Sequence, residues 1–137
     1  MMLLADTSAW HRSGHPSVID EWTRLLEADE IATTPPVRLE VLFSAQSAKD
    51  YAALSEELDA LHQLPCGEKA FERALRVQRA LADQHALHHR SVKIPDLLIA
   101  AAAEEAGATL WHYDEDYERI AAITGQPVRW VAPRGSL

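Results

Sequence analysis

Pro95-Asp96-Leu97-Leu98-Ile99-Ala100-Ala101-Ala102-Ala103-Glu104-Glu105-Ala106-Gly107-Ala108-Thr109-Leu110-Trp111-His112-Tyr113-Asp114 carries a helix, its stop and a strand in one run. Pro95 suits a first helical turn, where a missing N–H does no harm. Gly107 is a natural residue just past a helix end. The alanines between them allow close packing against a sheet or a second subunit. Ala108–Tyr113 then reads as a strand, and it ends on a carboxylate, Asp114.

Comparable units flank this run. Leu3–Asp6, Ile31–Thr33, His62–Leu64 and Val128–Val131 are short strand-like stretches. Val18, Trp22, Leu25 and Leu26 follow the spacing of an amphipathic helix. Thr34 is placed to cap a helix with Pro35 and Pro36 in its first turn. Leu54, Leu58 and Leu61 mark a helix over Lys49–Leu61. Phe71, Leu75 and Leu81 are the expected buried positions of a long charged helix over Glu68–His89. A last helix over Asp114–Thr124 is closed by Gly125. Strands alternating with helices predict an α/β fold, a three-layer α/β/α sandwich around a parallel sheet.

At 137 residues the chain is expected to form a single domain spanning 1–137, long enough to bury a real core. Hydrophobic content of 47% and charged content of 25% are those of an ordinary globular protein. No apolar run approaches the roughly 20 residues that span a bilayer. The N-terminus has no basic region before Asp6, which argues against a signal peptide. One cysteine, Cys66, excludes an internal disulfide and fits a reducing, cytoplasmic location. Acidic residues outnumber basic ones, 21 to 13, for a formal net charge of −8. That disfavours a non-specific DNA coater, whose affinity comes from Lys and Arg on phosphates. It leaves room for a nuclease, and for a basic protein partner.

Four acids stand where an α/β chain should not want buried charge: Asp6 at the end of the first strand, Glu40 on an apolar helix stripe, Asp96 and Asp114. Each has an ordinary reading. Asp6 or Ser8 can cap a helix, and Asp96 gains from the dipole of its first turn. Glu40 can pair with a distant arginine, and Asp114, Glu115 and Asp116 can form a solvated helix start. Asp96, however, opens a helix apolar on nearly every side, which would carry its carboxylate inward. In parallel α/β folds, strand C-termini converge on one crevice. Two like charges about 4 Å apart repel by roughly 4 kcal/mol at an effective dielectric near 20. A hard divalent cation removes that penalty, and carboxylate-held Mg²⁺ is suited to phosphate esters.

With their neighbours, these acids resemble a PIN-domain ribonuclease, specifically the VapC toxins of bacterial toxin–antitoxin pairs. The matching motifs are Leu4-Ala5-Asp6-Thr7-Ser8, Arg38-Leu39-Glu40-Val41, Ile94-Pro95-Asp96-Leu97-Leu98-Ile99-Ala100-Ala101 and His112-Tyr113-Asp114-Glu115-Asp116-Tyr117-Glu118-Arg119-Ile120-Ala121. The resemblance implies a five-stranded parallel sheet, a homodimer and neutralisation by a VapB-type antitoxin. It also implies a Mg²⁺- or Mn²⁺-dependent endoribonuclease acting on structured RNA such as tRNA or ribosomal RNA. Asp6, Glu40, Asp96 and Asp114 match the family's acidic catalytic positions. Asp6, Asp96 and Asp114 would hold metal with Asp116 in support, and Ser8 or Thr7 would supply a first-turn hydroxyl. Tyr117 stands where many members carry Phe.

Arg12, Arg38, Arg90, Lys93 and Arg129 are candidate phosphate contacts, Arg90 and Lys93 foremost; His11 and Trp10 can stack on an unpaired base. His85, His88 and His89 have a spacing compatible with zinc, but a solvated helix end is the better reading. Cys66 has no sequence neighbour suited to nucleophilic catalysis. Two competing readings are a non-catalytic PIN-like interaction module and an aspartyl-phosphate receiver or phosphatase. The second lacks the Lys or Thr that would bind a phosphoryl group at later strand ends.

Overall fold

In the computed structural model, which describes all residues Met1–Leu137, five strands form one parallel sheet. They are β1 (Leu3–Ala5), β2 (Ile31–Thr33), β3 (His62–Gln63), β4 (Thr109–His112) and β5 (Val128–Trp130), in the order β3-β2-β1-β4-β5. Leu3 pairs with both Ile31 and Thr109, which fixes β1 at the centre. Every residue of β1 and β2 is buried. Successive strand residues point to opposite faces, so both faces of the sheet are covered. The fold is the α/β sandwich expected from the alternation of strands and helices.

Seven helices make the connections: α1 (Thr7–His11), α2 (Ile19–Glu27), α3 (Pro35–Phe43), α4 (Ala48–Asp59), α5 (Glu68–Gln84), α6 (Ile94–Ala106) and α7 (Glu115–Thr124). A short 3-10 turn, His88–Ser91, lies before α6. Gly107 and Gly125 end α6 and α7 with φ of 68° and 71°, left-handed values that favour glycine. No helix is long and apolar enough to cross a membrane.

Four local expectations differ from the structure. Helix α5 stops at Gln84 rather than reaching His89, because His85 turns extended, and Leu87, at a left-handed φ of 62°, leads into the 3-10 turn instead; no glycine or proline announces the break. The buried face of α5 is Ala70, Ala74, Val77 and Leu81, whereas Phe71 and Leu75 are 53% and 66% exposed. Ala70 and Ala74 on this face are small, and the alanines of α6 are buried too, so close helix approach, more than side-chain size, decides that end of the face. On α2, Val18, Trp22 and Leu25 are buried but Leu26 is exposed. Thr34 occupies the N-cap position of α3 without a capping hydrogen bond from its side chain.

Candidate metal centre

Strand order reverses at β1: the chain leaves it toward β2 and returns on its other side as β4. Such a switch point opens a crevice at the strand C-termini. Asp6 follows β1 directly, and Asp114 lies just past β4. Asp96 reaches the same place from the first turn of α6. Asp6, Glu40, Asp96 and Asp114 share a cleft of about 230 Å³, with Thr7, Ser8, His11 and Lys93 on its wall.

Asp6 is both a cap and a cleft residue. Its Oδ1 accepts from the Ala9 amide at 3.0 Å and from Ser8 Oγ at 2.6 Å. Ser8 Oγ in turn accepts from the Tyr113 amide at 2.8 Å, tying the ends of β1 and β4 together. Thr7 Oγ1 donates to Glu40 Oε1 at 2.7 Å, so the partner Glu40 needs is a hydroxyl rather than a distant arginine.

Asp96, Asp114 and Asp116 each offer a carboxylate oxygen within 4.8 Å of the others. Asp114 caps α7, accepting from the Asp116 amide at 2.9 Å, and its own amide donates to His112 Nδ1 at 3.1 Å. Asp116 is buried rather than solvated; it accepts from Arg119 Nη1 at 2.8 Å and from the Lys93 amide at 3.3 Å. The Tyr117 hydroxyl donates to Asp96 Oδ1 at 3.1 Å. Asp96 Oδ2 is buried with no hydrogen-bond partner.

Burial pushes the Asp6 carboxyl up to about 6 against its hydrogen bonds from Ser8 and Ala9. Asp96 is pushed up to about 8 by burial, then by the neighbouring Asp116 carboxyl and the charge of Asp114. His112, fully buried, is held down at about 4 by its burial and is a neutral acceptor for the Asp114 amide. Tyr117 is raised well above the ordinary range by burial and the nearby charges of Asp6 and Asp96, so its hydroxyl keeps its proton.

These donors fit a divalent metal. A buried carboxylate oxygen without a partner is costly, and oxygen ligands from several carboxylates suit Mg²⁺ or Mn²⁺. The acidic trio is the one group of three or more potential ligands whose donor atoms converge; His85, His88 and His89 do not form a second. Asp6 lines the cleft but lies outside that trio.

Lys93 is the one lysine or arginine on the cleft wall. Arg12 donates to the Ser8 carbonyl at 3.0 Å and lies 4.4 Å over the Tyr113 ring. Arg90 is exposed on the 3-10 turn, away from that wall. Arg38 pairs with Asp59, and Arg129 pairs with Glu21 beside the Trp111 ring. Trp10 packs edge-on against Trp22 at 5.6 Å. His112 and Tyr117 touch the site through hydrogen bonds that no spacing rule announces. Their only sequence signal is a polar atom on residues that must otherwise be core.

Residues 3–123 match the PIN-domain family. The chain is 56% identical to Ribonuclease VapC18 of Mycobacterium tuberculosis, with 100% of both chains covered. It is 42% identical to Ribonuclease VapC51 of the same organism, over 98% of this chain and 96% of that one. In three dimensions it resembles the DNA-bound VapBC of Salmonella typhimurium, with a TM-score of 0.78 at 18% identity over 96% of this chain and 99% of that one. The chain belongs to the PIN-domain family and, within it, to the VapC group.

Proposed function

We propose that this chain is a metal-dependent endoribonuclease toxin that cuts structured RNA, tRNA or ribosomal RNA, and is neutralised by a VapB-type antitoxin. The observation that carries the reading is Asp96 Oδ2, buried and unpartnered beside Asp114 and Asp116. The relatives named ribonucleases and the structural neighbours solved as VapBC support it.

Asp96, Asp114 and Asp116 would hold Mg²⁺ or Mn²⁺, with Asp6 completing the acidic wall. When bound, such a cation polarises a phosphoryl oxygen and makes water a stronger nucleophile. Lys93 contacts a substrate phosphate. Glu40, fixed by Thr7, takes a proton from the attacking water. Ser8 holds Asp6 and the turn after β4 in register, so the acids are already in place before RNA arrives. Water adds to phosphorus, the P–O3′ bond breaks, and the leaving 3′ oxygen takes up a proton from solvent, giving a 5′-phosphate and a 3′-hydroxyl without use of the 2′-OH. The protein acts in the cytoplasm as a homodimer on this reading.

The test is incubation of the purified protein with tRNA and ribosomal RNA, with Mg²⁺ or with EDTA, followed by mapping of the new ends. Cleavage only with metal, leaving 5′-phosphates, is expected. Metal-independent cleavage with 2′,3′-cyclic phosphate ends would overturn the mechanism. No cleavage of any RNA alongside intact metal binding would favour the non-catalytic module.

A further inference from the structure

Tyr117 enters the site from beneath. Its backbone amide bonds the Asp114 carbonyl at 3.3 Å in the first turn of α7. Its ring, fully buried, lies 5.2 Å from that of His112. The phenol is therefore fixed at both ends: by the helix start at its backbone, and at its tip by Asp96 Oδ1, 3.1 Å away, with the Asp6 carboxyl beside it. This hydroxyl is the hydrogen-bond donor that Oδ1 has, while Oδ2 has none. A phenylalanine would fill the same space and leave both oxygens free to rotate.

We infer that Tyr117 is a positioning residue: its hydroxyl fixes the Asp96 carboxylate so that Oδ2 is presented, together with Asp114 and Asp116, to a divalent cation. The inference rests on the metal-centre reading above. Tyr117 itself touches neither metal nor RNA. Groups that orient a metal ligand in this way change metal affinity by about 10–100-fold when removed.

The experiment is calorimetric titration of Mn²⁺ into the full-length wild type, Tyr117→Phe and Asp96→Asn, with a thermal melt of each sample. Expected are measurable binding to the wild type, binding about 10–100-fold weaker to folded Tyr117→Phe, and none to Asp96→Asn. The apparent Mg²⁺ requirement for RNA cleavage should rise with the Mn²⁺ dissociation constant, and saturating metal should restore kcat with the RNA KM unchanged. Wild-type affinity in Tyr117→Phe, with Asp96→Asn still dead, overturns the positioning role and leaves the proposed function standing. A wild type that binds no Mn²⁺ overturns both. A second measurement needs no variant at position 117. The chain has three tyrosines, Tyr51, Tyr113 and Tyr117; with ¹³Cζ-tyrosine, assigned through Tyr51→Phe and Tyr113→Phe, the Tyr117 resonance should move on Mg²⁺ addition. A resonance that stays fixed while metal binds counts against the hydroxyl link.

Discussion

The Ser8 hydroxyl donates to Asp6 Oδ1 across 2.6 Å while accepting from the Tyr113 amide at 2.8 Å, so one side chain joins the two strand ends that frame the cleft. Ser8→Ala leaves the half-buried Tyr113 amide without its acceptor. An unsatisfied group of this kind costs about 1–3 kcal/mol. Urea denaturation should show a loss of that size, with activity reduced as well. A variant as stable as the wild type would mean water replaces the hydroxyl.

Linkage gives a pH dependence of defined sign. Asp96 is held at about 8 against an ordinary 3.8, so the folded metal-free protein keeps a proton that the unfolded chain has lost. Stability from that group is fully present below 3.8 and is lost as pH rises through about 8. Asp6, at about 6, loses its part lower down. His112 acts in the opposite sense, but only between about 4 and its ordinary 6.5. Between pH 6.5 and 8.5, scanning calorimetry of metal-free protein should therefore show a falling Tm. Mg²⁺ should raise Tm more at pH 8.5 than at 6.5, since ligand carboxylates must be deprotonated. Asp96→Asn should flatten both trends; a metal-free Tm that climbs over this range contradicts the assignment.

The α5–α6 contact should be intolerant of bulk. Ala74→Leu places extra methylenes against α6 at a position that is 7% exposed, and overpacking of this kind costs about 1–3 kcal/mol. Leu75→Ser, one residue along on the exposed face, should change stability by no more than about 0.5 kcal/mol. Chemical denaturation of both variants checks the pair, and a reversed order would place the buried face elsewhere.

Lys93 supplies the cleft's own positive charge. RNA binding by Lys93→Ala, measured with Ca²⁺ in place of Mg²⁺, should weaken, and the slope of log K against log salt should shrink by about 0.7–1. Arg90→Ala, off the cleft wall, should have the smaller effect. Equal losses in the two variants would extend the RNA path over the 3-10 turn.

Much of this architecture was legible from local chemistry. Strand-ending acids at Asp6 and Asp114, and the inward-driven Asp96, follow from the rule that parallel strands end on one side. What was hidden is long-range or conformational. The Thr7–Glu40 bond joins residues from separate elements that no periodicity relates. Phe71 and Leu75 are large and apolar, yet they stay exposed while Ala70 and Ala74 are buried, because α6 offers an alanine surface that only close approach can use. The break after Gln84 comes where His85 turns extended, and the left-handed Leu87 that follows starts the 3-10 turn; neither side chain foretells it. Tyr117 looks like core by spacing, and it is core; only its hydroxyl reaches Asp96.

The central claim is that Asp96, Asp114 and Asp116 converge to hold one divalent cation. A crystal grown with MnCl₂, measured at the manganese absorption edge, tests it directly. The expected anomalous difference map shows a peak in this cleft, within about 2.0–2.3 Å of oxygens from those carboxylates, in keeping with the short oxygen bonds of small hard cations. A map with no peak there, or with manganese held only by other residues, would contradict the account.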